Sequence, residues 1–303
     1  LGGAAGEAGP NSAKVGAAGP AARREPMNRD HPWIISPEEL SRRLEGEANL
    51  RVIDLGDADT FARGHIPGSV QIPFEAIIHS DGVIKGLLAD ATELSRHLEA
   101  AGVTPETTVI ACDDEGGGRA ARLLWTLATA GHPRAALLDG GRDAWITAGL
   151  PTSTELATPE AGHYPVHYTA REETVATRDE ILRHLGDPHY ALWDARSPAE
   201  FSGEDVRAAR GGHIPGAVNL EWTWLMDNAH DRRLKDATTI RDKLDFLGFT
   251  PDRCVITYCQ THHRSALPWL VLKWLGFPEA KGYPGAWSDW GNAEATPVTT
   301  GPA

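Results

Sequence analysis

Apolar positions alternate along the chain between two rhythms. Short runs rich in β-branched residues, LRVIDL at 50–55, TVIACD at 108–113, YALWDA at 190–195 and VITYC at 255–259, read as strands. Between them, at 91–101, 120–131, 239–247 and 265–275, apolar residues recur every three to four positions and predict helices. Two helix starts carry capping signals. In Ser36-Pro37-Glu38-Glu39, Ser is the N-cap, Pro lies in the first turn and Glu is at the third position; Thr177-Arg178-Asp179-Glu180 repeats the pattern. Alternating β and α patterns predict an α/β fold, with mainly parallel sheets flanked by helices on both faces.

The pattern also repeats in order. LRVIDL resembles YALWDA, GHIPGS (64–69) matches GHIPGA (212–217), TVIACD resembles VITYC, and DGGRDAW (139–145) resembles YPGAWSDW (283–290). The spacing is 140 residues from Asp54 to Asp194, 148 from Gly64 to Gly212 and 146 from Asp113 to Cys259. The longer loop SGEDVRAARG (202–211) accounts for the drift. One order at nearly one offset indicates a tandem duplication. Domains are expected at 30–150 and 165–295, joined by a linker at 151–164 within the Pro/Thr-rich stretch 151–172 and followed by a tail at 296–303. Residues 1–29, rich in Gly, Ala and Pro, read as a disordered or non-native extension, with translation expected to start at Met27.

Composition narrows the field. The chain has 303 residues, a net charge of -13 and three cysteines. Its length suits two domains. The acidic balance disfavours nucleic-acid binding, and no apolar run is long enough to span a membrane. Cys112, Cys254 and Cys259 show no CxxC spacing and are too few for a disulfide framework. A reducing, cytoplasmic setting is expected, with at most one cysteine in a chemical role.

That cysteine is Cys259. It ends an apolar strand and is followed by Gln260-Thr261-His262-His263-Arg264 and then a helix. In parallel α/β sheets, ligands bind where a strand's carboxyl end feeds a helix amino end. Backbone N–H groups and the helix dipole there favour thiolate over thiol. Arg264 adds a permanent positive charge, and the six residues hold no acid, so the loop fits a small anionic substrate. His262 and His263 are adjacent, and their spacing supplies no further metal ligand; no metal and no cofactor are expected.

The DxR segment Asp194-Ala195-Arg196, the GHIPG phrase, the strand–Cys259–loop–helix unit and PGAWSDWG (284–291) together resemble tandem-domain rhodaneses, the thiosulfate and 3-mercaptopyruvate sulfurtransferases. The loop Cys-Gln-Thr-His-His-Arg is similar to that of a bacterial two-domain subtype. The resemblance implies two rhodanese-like domains, with catalysis in the second. It implies that Cys259 takes a sulfane sulfur from a small anionic donor as a persulfide and passes it to a thiophilic acceptor, such as cyanide, a thiol or a sulfur-accepting protein. Arg196 and Arg264 would orient the donor or stabilise the loop; Arg196 could equally pair with an interior acid. Trp222 would line the pocket or simply pack. Gln260, Thr261, His262 and His263 complete the loop.

In the first half, Asp113 stands in the place of Cys259 and Gly56 in the place of Arg196. The loop that follows is acidic and one residue longer, so this half is expected to be silent and to cover the site. Two departures weaken any assignment of donor: Thr261 and Glu200 stand where some thiosulfate-preferring relatives carry basic residues. The loop also lacks the Cys-Gly-Ser/Thr-Gly pattern of mercaptopyruvate enzymes. Two rival readings are a phosphatase or arsenate reductase, whose CX5R loop is one residue longer than the CX4R here, and a non-catalytic sulfur-sensing or protein-binding module.

Overall fold

The computed structural model describes residues 1–3, 32–227 and 230–302. The proposed start at Met27, and most of the extension around it, lie outside them. The first half runs β1 (Ile34–Ile35), α1 (Pro37–Gly46), β2 (Leu50–Asp54), α2 (Ala58–Arg63), β3 (Val70–Gln71), a hairpin of β4 (Ile78–Asp81) and β5 (Ile84–Leu88), α3 (Ala91–Ala100), β6 (Thr108–Cys112), α4 (Gly118–Thr129), β7 (Ala135–Leu138) and α5 (Gly141–Thr147). After the short α6 (Arg171–Thr174), the second half runs α7 (Arg178–Arg183), β8 (Tyr190–Asp194), α8 (Pro198–Ser202), β9 (Val218–Asn219), α9 (Ala237–Phe246), β10 (Cys254–Tyr258), α10 (Ala266–Trp274), β11 (Ala280–Gly282) and α11 (Ala286–Trp290).

Each half builds one parallel sheet, ordered β1-β7-β6-β2-β3 in the first and β11-β10-β8-β9 in the second. The central pairs share one register: Asp54 lies beside Cys112, and Asp194 beside Tyr258. β6 and β10 are buried along their whole length, as strands covered by helices on both faces require. Both capping signals form as written: Ser36 accepts from the Glu39 N–H and Thr177 from the Glu180 N–H.

The halves share a core. α4 packs against α10, and both helices are buried almost all round. Leu123, Leu124, Trp125, Leu267, Trp269 and Leu270 are fully enclosed in one cluster. Each such aliphatic side chain contributes on the order of 2 kcal/mol. This contact lays the α4 end of the first half beside the loop that leads into α10.

The connector is pinned rather than loose. His65 and Ser153 exchange backbone hydrogen bonds of 2.9 Å, and the Gly162 and Tyr164 N–H groups bond to Glu99. The segment after 295 is bound in the matching way, with Thr299 exchanging bonds with His213 and the Thr296 carbonyl accepting from Arg210 at 2.7 Å. The packing of the second half therefore continues past residue 295, through Thr296 and Thr299.

Candidate active site

The two halves can be compared atom by atom. In the first, the Arg142 N–H bonds to the Asp113 carbonyl; in the second, the Trp287 N–H bonds to the Cys259 carbonyl, each at 3.0 Å. Asp113 and Cys259 thus occupy equivalent places at the carboxyl ends of β6 and β10. In the first half the loop turns on its own acid: the Asp113 carboxylate accepts from the N–H groups of Glu115 (3.1 Å), Gly117 (2.8 Å) and Ala120 (3.0 Å). The cradle that would hold an external anion is filled by the chain itself.

In the second half the cradle holds sulfur. Cys259 is 0% exposed. Burial alone would push its thiol up, but the Arg264 charge, the Ser265 hydroxyl and the N–H groups of Thr261 and Ser265 outweigh it and leave the thiol below its ordinary range. By contrast, burial and the neighbouring Asp54 and Asp113 carboxylates push Cys112 well up, and burial pushes Cys254 up to about 11. Of the three cysteines, only Cys259 is shifted toward the thiolate.

Arg264 is fixed by an acid from α8. Its guanidinium forms a two-point pair with Glu200, at 2.7 and 2.8 Å. Burial works against the Glu200 carboxylate, yet Arg264's hydrogen bonds and charge bring it down to about 2. Glu200 is itself oriented by a capping box with Ser197. Sequence reasoning counted Glu200 as lost positive charge. Here it also aims the loop's arginine, a role hinted at only by the Ser197-Pro198-Ala199-Glu200 spacing.

Arg196 faces inward. It is 1% exposed, donates to Asp194 at 2.6–3.1 Å and to the Gly212 carbonyl at 2.7 Å, and stacks over Trp287 at 4.5 Å. The first half neutralises the equivalent Asp54 with Arg142, 3.4 Å away, which springs from the position of Trp287. A Cβ built on Gly56 would lie 3.2 Å from that Arg142 guanidinium. Each half therefore keeps one arginine beside its buried aspartate, drawn from different loops.

The rest of the loop is held from several sides. Gln260 donates to the Arg207 carbonyl at 3.0 Å on the long loop 202–211. His262 adopts φ 53, uncommon for a residue with a Cβ, and bonds through Nδ1 to Ser265 Oγ at 2.7 Å. Burial, Arg122 and His263 hold His262 well below the usual histidine range, so it is neutral. Gly282 is required beneath it: a Cβ there would come within 2.1 Å of the His262 ring. His263 points the other way and pairs with Glu115 of the first half. The histidines do not converge, and among the described residues no cluster of three metal-ligating side chains is found.

The first half closes over the loop. Gly86, on β5, has φ 72, and a Cβ there would meet the Thr261 carbonyl oxygen at 1.9 Å. The Lys85 N–H bonds to Ser288 Oγ at 2.9 Å. Trp222 is half-buried, donates its N–H to the Ala195 carbonyl at 3.2 Å and packs against the shared core. Its ring would lie 3.1 Å from a Cβ on Gly118, at the start of α4. Arg122, read from sequence only as part of a helix, reaches Thr261 and His262 from across the interface.

The chain is 43% identical over 267 residues to the thiosulfate sulfurtransferase of Azotobacter vinelandii, covering 88% of this chain and 97% of that protein. It is 43% identical over 269 residues to the thiosulfate sulfurtransferase of Pseudomonas aeruginosa, covering 89% and 97%. The sulfur carrier protein TtuD of Thermus thermophilus is 33% identical, covering 91% and 99%. Among solved structures, the anaerobic ergothioneine biosynthesis enzyme of Chlorobium limicola shares the fold, with a TM-score of 0.80 and 23% identity over 89% of this chain and 70% of that one. A family model for the rhodanese-like domain matches residues 36–148 and again 177–293, and the chain belongs to the rhodanese family as a tandem of two such domains.

Proposed function

We propose that this protein is a sulfurtransferase that carries sulfane sulfur on Cys259. The observation behind the reading is the Cys259 thiol, enclosed at the end of β10 and held below its ordinary range by Arg264, Ser265 and loop N–H groups. Both 43%-identical relatives bear the name thiosulfate sulfurtransferase.

In the first step the thiolate attacks the outer sulfur of thiosulfate. A new S–S bond forms, the old one breaks, and sulfite leaves with the bonding pair. The outer sulfur remains as a persulfide, whose negative charge is met by the donors that held the thiolate. In the second step a thiophile attacks that sulfur, cyanide leaving as thiocyanate or a thiol as its own persulfide, and the Cys259 thiolate returns. No net oxidation occurs and no cofactor takes part. Arg264, fixed by Glu200, supplies the charge that offsets burial of the sulfur. The longer CX5R loop of a phosphatase has no counterpart, because only four residues separate Cys259 from Arg264. A sulfur-accepting protein is a fitting final acceptor, since the Thermus relative is named a sulfur carrier protein.

Intact mass spectrometry after incubation with thiosulfate tests the reading. The expected result is a gain of one sulfur atom, removed by cyanide and absent in Cys259→Ala. Absence of an adduct with thiosulfate and with mercaptopyruvate would leave the binding-module reading in its place.

A further inference from the structure

Arg122 sits on α4 of the silent half and is 0% exposed. Among the described residues no carboxylate pairs with it. Its Nη2 donates to the Leu87 carbonyl at 2.9 Å, and its Nη1 faces the carbonyls of Thr261 and His262, each at 3.4 Å. Its Nε has no partner, and its guanidinium lies 4.8 Å from the Trp125 ring. An apolar side chain would fill the same space without the cost of desolvating a charge.

The surroundings say what the charge faces. On the α10 side of Cys259, Arg264 is paired with Glu200, and Arg207 stands 3.7 Å from the same acid. Asp194 and Arg196 neutralise each other, His263 is paired with Glu115, and His262 is neutral. Among the described residues around this loop Arg122 has no acid beside it, and the groups whose negative charge would favour its own are the Cys259 sulfur and then the Tyr168 hydroxyl. Burial brings Arg122 down to about 9, still charged at neutral pH.

We propose that Arg122 is a positioning residue for sulfur transfer: from the silent half it draws the Thr261 and His262 carbonyls toward itself and brings a positive charge with no acid beside it to the loop that holds the Cys259 sulfur. A trans peptide points its C=O and N–H in opposite directions. Carbonyls turned to Arg122 therefore send the His262 and His263 N–H groups away from the silent half. The fork and the charge act together, one shaping the loop and the other favouring the anion it holds. The inference rests on Cys259 as the reacting sulfur, but its test needs no sulfur donor.

The test is the pH dependence of Cys259 alkylation by iodoacetamide, followed by peptide mass spectrometry, together with amide hydrogen exchange of residues 260–264. Circular dichroism confirms the fold of each variant. Arg122→Met is expected to lower the thiolate fraction about tenfold at a pH below the thiol's titration midpoint, equivalent to one pKa unit. Arg122→Lys keeps the charge and loses the fork: its thiolate fraction is expected to stay within threefold of the parent, while exchange of the loop amides rises about tenfold. A folded Arg122→Met protein with the parent's titration, or an Arg122→Lys protein with the parent's loop exchange, overturns the proposal. If Arg122→Met does not fold, the exchange measured in Arg122→Lys decides alone. Failure to form a persulfide in the parent protein would overturn the functional reading and leave these titrations interpretable.

Discussion

Replacing Arg196 with methionine separates the two roles its position allows. A residue that binds the sulfur donor would lose substrate affinity when removed, whereas one that neutralises a buried acid would cost stability. The structure supports the second. Asp194 is fully buried and Arg196 nearly so, and the pair is joined through Nε and Nη2, with a further bond from Nη2 to Gly212. Methionine keeps much of the stem and removes the charge. Breaking one side of a buried ion pair costs about 3–5 kcal/mol, and losing the stacked cation on Trp287 adds about 1. Residual bonds to Asp194 from the Arg196 N–H and the Tyr258 hydroxyl soften the loss, so about 4 kcal/mol is expected. For a protein of this size that lowers the melting temperature by roughly 10 °C. The double variant Asp194→Asn with Arg196→Met removes both charges and is expected to recover about half of the loss. The assays are thermal melting and thiosulfate:cyanide kinetics below the variant's melting temperature, where KM is expected to stay within about threefold. A variant that melts like the parent but has a KM raised tenfold or more would refute the reasoning and make Arg196 a donor-binding residue.

The Glu200–Arg264 pair links pH to stability. Its folded carboxyl lies at about 2, below the ordinary 4.5. Its contribution is therefore complete above about pH 4.5 and is lost as pH falls toward 2. That amounts to about 3 kcal/mol, and Glu200→Gln should flatten this acid limb in denaturant titrations across the window; an unchanged limb would refute it. On the β4–β5 hairpin, Gly86→Ala should cost about 2 kcal/mol or more and reduce kcat about tenfold, because its Cβ would displace the Thr261 carbonyl. Gly82→Ala is the control: φ is 57 but nothing lies within 4 Å, so only the smaller backbone cost is expected, and equal activity losses in the two would sink the argument.

What the sequence made legible is what lies close along the chain. The strand runs, the caps at Ser36 and Thr177, the repeat, and Cys259 with Arg264 five residues on all fall within a short window. Glu200 lies 64 residues from Arg264 and Arg122 139 from Thr261, and neither separation carries a local signal. From the sequence alone, Glu115 is one of the charges that make the loop after Asp113 acidic. In the structure, His263, 148 residues away, and Arg119 take up that carboxylate. Charge along a chain shows how many acids and bases there are; only packing shows which of them cancel.

The same principle explains how the two halves differ at one buried acid. A buried aspartate at the end of β2 and of β8 needs a cation, and the halves supply it differently: Arg196 with Trp287 behind it, or Gly56 with Arg142 in the space that glycine leaves. In the first half the cradle closes on Asp113, and its hairpin, its Glu115 loop and α4 all end on the Cys259 loop of the second half. Gly86 abuts Thr261, Glu115 holds His263, and Arg122 sits behind Thr261 and His262. A loop that must hold a buried sulfur anion needs a rigid support with a positive face, and a duplicate of the same domain already has the shape to dock there. On the proposed function, the first copy is the other wall of a single site.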